Sequence, residues 1–134
     1  MERPAAERLP VTEGHQVVQV RQAVRRWSQD LGFSLIDQTK IVTAASELAR
    51  NVVQHGGGGQ ATIEVVFEGH RRGLRLTFED QGPGIPDINL AMKEGYTTAG
   101  GLGLGLPGSK RLSNEFSICS APGQGTRVVI TRWK

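Results

Sequence analysis

The first clear periodicity in the chain is helical. Between His15 and Leu31, the residues Val17, Val20, Val24, Trp27 and Leu31 recur at spacings of three and four, which lays them along one stripe of a helix. Thr12 or Glu13 stands near the expected start, and Gly32 supplies the stop. Ahead of this helix, Leu9-Pro10-Val11-Thr12 reads as a short strand. Proline cannot donate to a ladder, so that strand belongs at a sheet edge. A second helix is expected from Asp37 to His55, with Ile41, Ala45, Leu48 and Val52 as its buried stripe. Ser34 or Asp37 can cap it, and the run Gly56–Gly59 ends it.

The period then changes to two. Ala61–Glu68 and Leu74–Asp80 read as strands joined by a hairpin loop over Gly69–Gly73. Alternation puts Leu74, Leu76 and Phe78 on one face of the second strand, with Asp80 continuing that face. Pro83, Pro86 and the nearby glycines interrupt regular structure. Asp87–Glu94 is expected to form a short helix, Gly95–Ala99 a mobile connection, and Leu104–Leu112 a helix. Pro107 and Gly108 place the firm start of that last helix near Ser109. Glu115–Ser120 and Thr126–Trp133 close the chain as a hairpin across Ala121–Gly125. This order predicts one α+β domain spanning residues 1–134, a two-layer α/β sandwich. Its sheet is mixed and largely antiparallel, with helices on one face.

Composition narrows the function. A chain of 134 residues with 37% hydrophobic residues fits one domain with a real core. No apolar run approaches the roughly 18 residues of a membrane helix, and Met1–Arg8 lacks the apolar centre of a signal peptide. Cys119 is the sole cysteine, cannot form an internal disulfide, and is expected in the core of its strand. A soluble, cytoplasmic protein without membrane contact follows as the expectation. The net charge is +3, and no basic run is interleaved with aromatics, so nucleic-acid binding has no support. Arg21, Arg25 and Arg26 lie off the first helix's apolar stripe. They form a solvated basic face or a docking surface for an acidic protein.

The candidate chemistry sits between Glu79 and Lys110, where glycines cluster after an acidic strand end. Glycine gives up the most backbone freedom on folding, so such clusters suggest a backbone wrapped closely around a ligand. Asp80, at the end of a core face, would be an expensive bare charge and needs a partner there. Gly103–Gly108 matches G-x-G-x-x-G, but a dinucleotide site needs a preceding apolar strand and an acid about twenty residues on. Thr97–Gly101 is no such strand, and Pro122–Thr126 holds no acid. Gly103–Lys110 also mimics a phosphate-binding loop, but Ser109 intrudes before the lysine.

Three boxes in order fit better: Glu47 and Asn51 four apart on a helix, Asp80-x-Gly82-x-Gly84 after a strand, and Gly101-x-Gly103-x-Gly105 before a helix. Together they resemble the Bergerat (GHKL) ATP-binding fold of histidine kinases, gyrase, Hsp90 and bacterial anti-sigma kinases. The runs Ser46–Asn51, Glu79–Asp87 and Gly100–Gly108 are most similar to the short serine kinases of bacterial partner switching, stressosome switch kinases above all. The resemblance covers Leu9 to Trp133.

That resemblance implies ATP and Mg²⁺ as cofactors, with Asn51 as the metal ligand, a hard oxygen donor. It implies Glu47 as the general base for the attacking hydroxyl. Arg50 either reaches a phosphate or faces solvent. Asp80 would accept a hydrogen bond from the adenine amino group. Guanine would oppose it with a carbonyl oxygen and leave a buried group unpaired, so ATP is preferred over GTP. Gly82 and Gly84 would let the backbone pass close to the base, and Thr126 would join the water network of Asp80. Gly101, Gly103, Leu104 and Gly105 form the expected phosphate loop at a helix N-terminus. Lys93, Thr97 and Thr98 fall in the expected lid, and His55 is expected to be structural or a lid contact. The implied activity is an ATP:protein serine/threonine kinase acting on STAS-domain proteins, with a PP2C-type phosphatase activated when the kinase is released. The alternative is an anti-sigma factor or nucleotide-gated module that works by sequestration and has no need of Glu47.

Overall fold

The computed structural model describes residues 5–93 and 105–134. The chain opens with strand β1 (Ala6–Val11) and two helices, α1 (Gly14–Leu31) and α2 (Leu35–Gln54). A hairpin of β2 (Gly59–Glu68) and β3 (Arg71–Asp80) follows, then the short helices α3 (Ile88–Ala91) and α4 (Leu106–Arg111). A second hairpin, β4 (Glu115–Ser120) and β5 (Thr126–Trp133), ends it. The sheet order is β1-β2-β3-β5-β4. Every ladder among the described residues is antiparallel, and α1 and α2 pack over one face, as expected.

The helical stripes land where their spacing puts them. Val17, Val20, Val24, Trp27 and Leu31 of α1 and Ile41, Ala45, Leu48 and Val52 of α2 are all buried. They meet Ile63, Leu74, Leu76, Phe78, Val128 and Ile130 from the sheet. Glu13 is the N-cap residue of α1, and Gln16 Oε1 accepts from the backbone N–H groups of Thr12 and Glu13. Ser34 caps α2 by accepting from the Asp37 N–H. That moves the start of α2 ahead of the expected Asp37. Pro10 lies on β1, an edge strand, where its missing donor costs nothing.

Three local expectations need correction. The β2–β3 turn is shorter than the expected loop, because Gly73 is a strand residue paired with Trp133. A Cβ there would lie 2.8 Å from the Trp133 ring and from the Arg132 carbonyl oxygen. This glycine serves close packing inside the sheet. Helix α4 begins at Leu106, with Gly105 left-handed at φ 65° as N-cap. Pro107 sits in the first turn, where a helix has no use for its missing N–H, so the expected start near Ser109 is too late. Cys119 is exposed. Phe116 and Ile118 pair with the buried Ile130 and Val128, so strand alternation turns Cys119 to the opposite face. Helix α3 is a single turn capped by Asp87. It ends at Ala91 with Met92 as C-cap, short of the expected helix to Glu94; Glu94 itself and the connection Gly95–Ala99 lie outside the described residues.

Candidate functional site

A cleft opens between α2, the end of β3 and the start of β5. Its walls include Leu48, Asn51, Val52 and His55 from the α2 side, Phe78 and Asp80 from β3, Leu106 from α4, and Thr126 and Val128 from β5. It holds about 430 Å³, counting its open mouth. The lining is largely apolar with a few convergent polar groups, the usual character of a small-molecule site.

Asp80 sits at its floor and is buried. Its Oδ1 accepts from the backbone N–H of Gly82 at 3.0 Å and of Thr126 at 3.2 Å. No donor from the described residues reaches Oδ2. One carboxylate oxygen is thus saturated by the protein while the other stays open to a ligand donor. Behind it lies Gly56, where an added Cβ would fall 2.4 Å from Oδ2. Gly82 in turn lies against Gly56, whose carbonyl oxygen would be 2.4 Å from a Cβ at Gly82. Gly84 is left-handed at φ 78°, and its Cβ would stand 2.1 Å from the Ala121 carbonyl oxygen. The second and third glycines are therefore demanded by the chain's own close approaches around Asp80.

Ser120 was not singled out in the sequence, yet it holds this end of the cleft together. Its hydroxyl donates to the Gly125 carbonyl at 3.0 Å and accepts from the Ile85 N–H at 2.8 Å. With its proton so committed, the Thr126 hydroxyl 2.8 Å away acts as donor to it. The Thr126 side chain therefore points into the Ser120 network, and its backbone serves Asp80. Gly56 was also missed as a site residue, because directly after the Asn51 helix it reads as a helix stop, and only its approach to Asp80 reveals its role.

On α2, Glu47 and Asn51 share one face on consecutive turns. Glu47 Oε1 accepts from Arg50 Nη1 at 2.8 Å, an ion pair of two half-exposed side chains. Glu47 Oε2 faces the N-terminus of α4, where a Cβ on Gly105 would lie 2.8 Å away. Gly105 has no such atom, so the carboxylate can approach. His55 caps α2 at its C-terminus and lines the cleft. Lys93 is exposed and is not part of the cleft wall. Thr97, Thr98, Gly101, Gly103 and Leu104 lie outside the described residues.

Residues 36–134 match the family of histidine kinase-, DNA gyrase B- and HSP90-like ATPases. The chain belongs to this ATPase family. Among relatives, serine/threonine-protein kinase RsbT of Bacillus subtilis is 50% identical over 117 residues, covering 87% of this chain and 88% of its own. An anti-sigma F factor of Bacillus licheniformis is 32% identical over 119 residues, covering 84% of this chain and 80% of its own. The solved RsbU and RsbW domains of Rv1364c from Mycobacterium tuberculosis superpose with a TM-score of 0.60 at 19% identity. That match covers 98% of this chain and 33% of the longer one, and it is a likeness of fold. Within the ATPase family frame, the cleft on Asp80 is the candidate nucleotide pocket. No helix among the described residues is long and apolar enough to cross a membrane.

Proposed function

We propose that this chain is a partner-switching serine/threonine kinase that uses Mg-ATP to phosphorylate a STAS-domain protein. Its half-identity to a named serine/threonine kinase across nearly the whole chain supports the activity. The observation that carries the site is Glu47 directed at the Gly105 end of α4, beside a cleft floored by the half-saturated Asp80.

The chain's residues then divide the work. Asp80 Oδ2 accepts from the adenine amino group, while Phe78, Leu48, Leu106 and Val128 exclude water from the base. Gly82, Gly84 and Thr126 keep Asp80 aimed by holding the backbone around it. Gly105 joins Gly101, Gly103 and Leu104 in a phosphate loop whose N–H groups meet the anion. Lys93 and Thr98 belong to a lid over it. A divalent cation would arrive with the phosphates. Asn51 would be its protein ligand, and Mg²⁺ would neutralise charge on the transferring phosphoryl group. Glu47 takes the proton of the acceptor hydroxyl through Oε2, with Arg50 fixing the other oxygen.

A PP2C-type phosphatase is the second partner, engaged when the kinase is released, and the setting is cytoplasmic. Sequestration of a sigma factor is the competing reading, favoured by the similarity to an anti-sigma F factor. Incubation with labelled ATP and a STAS-domain protein decides between them. Label transferred by the wild type and abolished in Glu47→Ala supports the kinase. Tight retention of a sigma factor with no transfer supports sequestration.

A further inference from the structure

The core face of the sheet carries a charge at each end. At one end is Asp80 on β3, paired with Thr126. At the other, β5 continues Val128 and Ile130, both buried, with Arg132. Only 13% of the Arg132 side chain is exposed, and its Nε is buried without a hydrogen-bond partner among the described residues. Packing alone does not explain this choice. A buried ion pair can often be replaced by apolar residues of similar volume without loss of stability, and an unmet buried donor is itself unfavourable.

The guanidinium makes two bonds to two different helices. Nη2 donates to Asp37 Oδ1 at 2.6 Å, in the first turn of α2. Nη1 donates to the carbonyl oxygen of Leu112 at 2.9 Å, the C-cap of α4. These are the two helices that meet at the site, α2 bringing Glu47 and Asn51 and α4 bringing Gly105 against Glu47. Asn114 separately fastens the chain after α4 to β5, through its N–H to Thr131 and its Oδ1 to the Trp133 N–H. Arg132 adds a hydrogen-bonded link from α4 to α2 at that end. With six residues, α4 is a rigid rod about 9 Å long, so a shift at Leu112 reaches Gly105. A guanidinium suits such a joint, because its donors are fixed in one planar fork.

We propose that Arg132 is a positioning residue for phosphoryl transfer. By bridging Asp37 and Leu112 it sets the approach of the α4 N-terminus to Glu47 from the far side of the fold. The proposal rests on the kinase reading and deepens it. Misplacing a reacting group by about 1 Å costs on the order of a hundredfold in rate. The carboxylate end of the adenine pocket, Asp80 with Ser120 and Thr126, hangs on β3, β4 and β5, so the joint bears on base recognition only through the apolar walls Leu48 and Leu106.

The test compares wild type with Arg132→Met, Arg132→Lys and Asp37→Asn in thermal midpoint, Mg-ADP affinity, and single-turnover transfer from Mg-ATP to a STAS-domain protein. Arg132→Met should keep Mg-ADP affinity within about threefold and lose at least about tenfold in transfer rate. Arg132→Lys retains charge without the fork and should lose nearly as much. Asp37→Asn keeps an acceptor oxygen and should lose less than either. A wild-type transfer rate in Arg132→Met overturns the proposal, as does a parallel loss of midpoint, affinity and rate. Failure of both Arg132 variants to fold overturns it too, by making the residue a stability element. If the wild type binds no Mg-ADP, the kinase reading falls and the inference falls with it.

Discussion

Replacing Gly56 with alanine should disable the pocket without touching any group assigned to chemistry. The new Cβ would lie 2.3 Å from Asp80 Cγ, 2.4 Å from Oδ2 and 2.6 Å from Cβ, where carbon contacts normally settle at about 3.5–4.0 Å. Asp80 must therefore retreat by more than about 1 Å, which takes its bonds to the N–H groups of Gly82 and Thr126, now 3.0 and 3.2 Å, beyond useful length. Overpacking a filled site costs about 1–3 kcal/mol, and a hydrogen bond to a charged group is worth about 1.5–3 kcal/mol. With partial relaxation, we expect a destabilisation of about 2–4 kcal/mol. The loss of the aimed carboxylate should weaken Mg-ADP binding at least tenfold, which is about 1.4 kcal/mol. Chemical denaturation and calorimetric titration read the two effects separately. Gly57→Ala is the control. Gly57 is left-handed at φ 74° but has nothing within 4 Å of its Cβ position, so it should lose about 1 kcal/mol to backbone strain and no affinity. If Gly56→Ala binds Mg-ADP within twofold of wild type at unchanged stability, the close approach around Asp80 has been misjudged.

The remaining predictions concern single side chains. Asp80→Asn can keep Oδ1 on the Gly82 and Thr126 N–H groups while turning an NH₂ toward the base. The ratio of ATP to GTP affinity should therefore fall at least about tenfold, and an unchanged ratio in competition titrations would remove Asp80 from base recognition. Glu47→Gln should bind Mg-ATP within about threefold of wild type and transfer phosphate about 10²–10⁴-fold more slowly; near-normal single-turnover rates would exclude it as the base. The Arg132 hydrogen bond holds the Asp37 carboxyl below its ordinary 3.8. A lowered folded-state value means stability that is present above the unfolded value and lost as pH falls through the folded one. Urea midpoints measured from pH 6 down to pH 2 should thus drop less steeply in Asp37→Asn than in wild type, and equal slopes would rule out this linkage.

The parts of this fold that were legible in the sequence are those whose signal is local and periodic. The stripe from Val17 to Leu31 and the alternation through Thr126–Trp133 each need one buried face, and burial alone fixes them. Asp80 was legible for a related reason, since a carboxylate on a core face demands an explanation. Pairings across long separations were not legible. Gly73 looks like a turn residue until Trp133 is set beside it, and Gly56 looks like a helix stop until Asp80 is folded against it. Cys119 is a different case, because strict alternation from Phe116 and Ile118 already directs it outward, and the apolar character of cysteine outweighed that pattern in the expectation. Ser120 follows from the same parity, on the inward side. Its importance depends on three partners, Ile85, Gly125 and Thr126, that only tertiary structure assembles.

Asp80 and Thr126 face each other in the ladder although they are 46 positions apart. The chain leaves the β3–β5 seam at Asp80 and returns to it at Thr126, on the same rung. Such an insertion is topologically pinched, and its length scarcely enters the stability of the sheet. Closing a flexible loop twice as long adds only about 0.6 kcal/mol. Insertions in the connecting stretches of this excursion, outside α4 and β4, are therefore thermodynamically cheap, while a single methyl group at the pinch is not. A Cβ on Gly125 would lie 2.2 Å from the Asp80 carbonyl oxygen. Variation in this architecture should accumulate in the length and composition of the excursion, with its two ends held fixed.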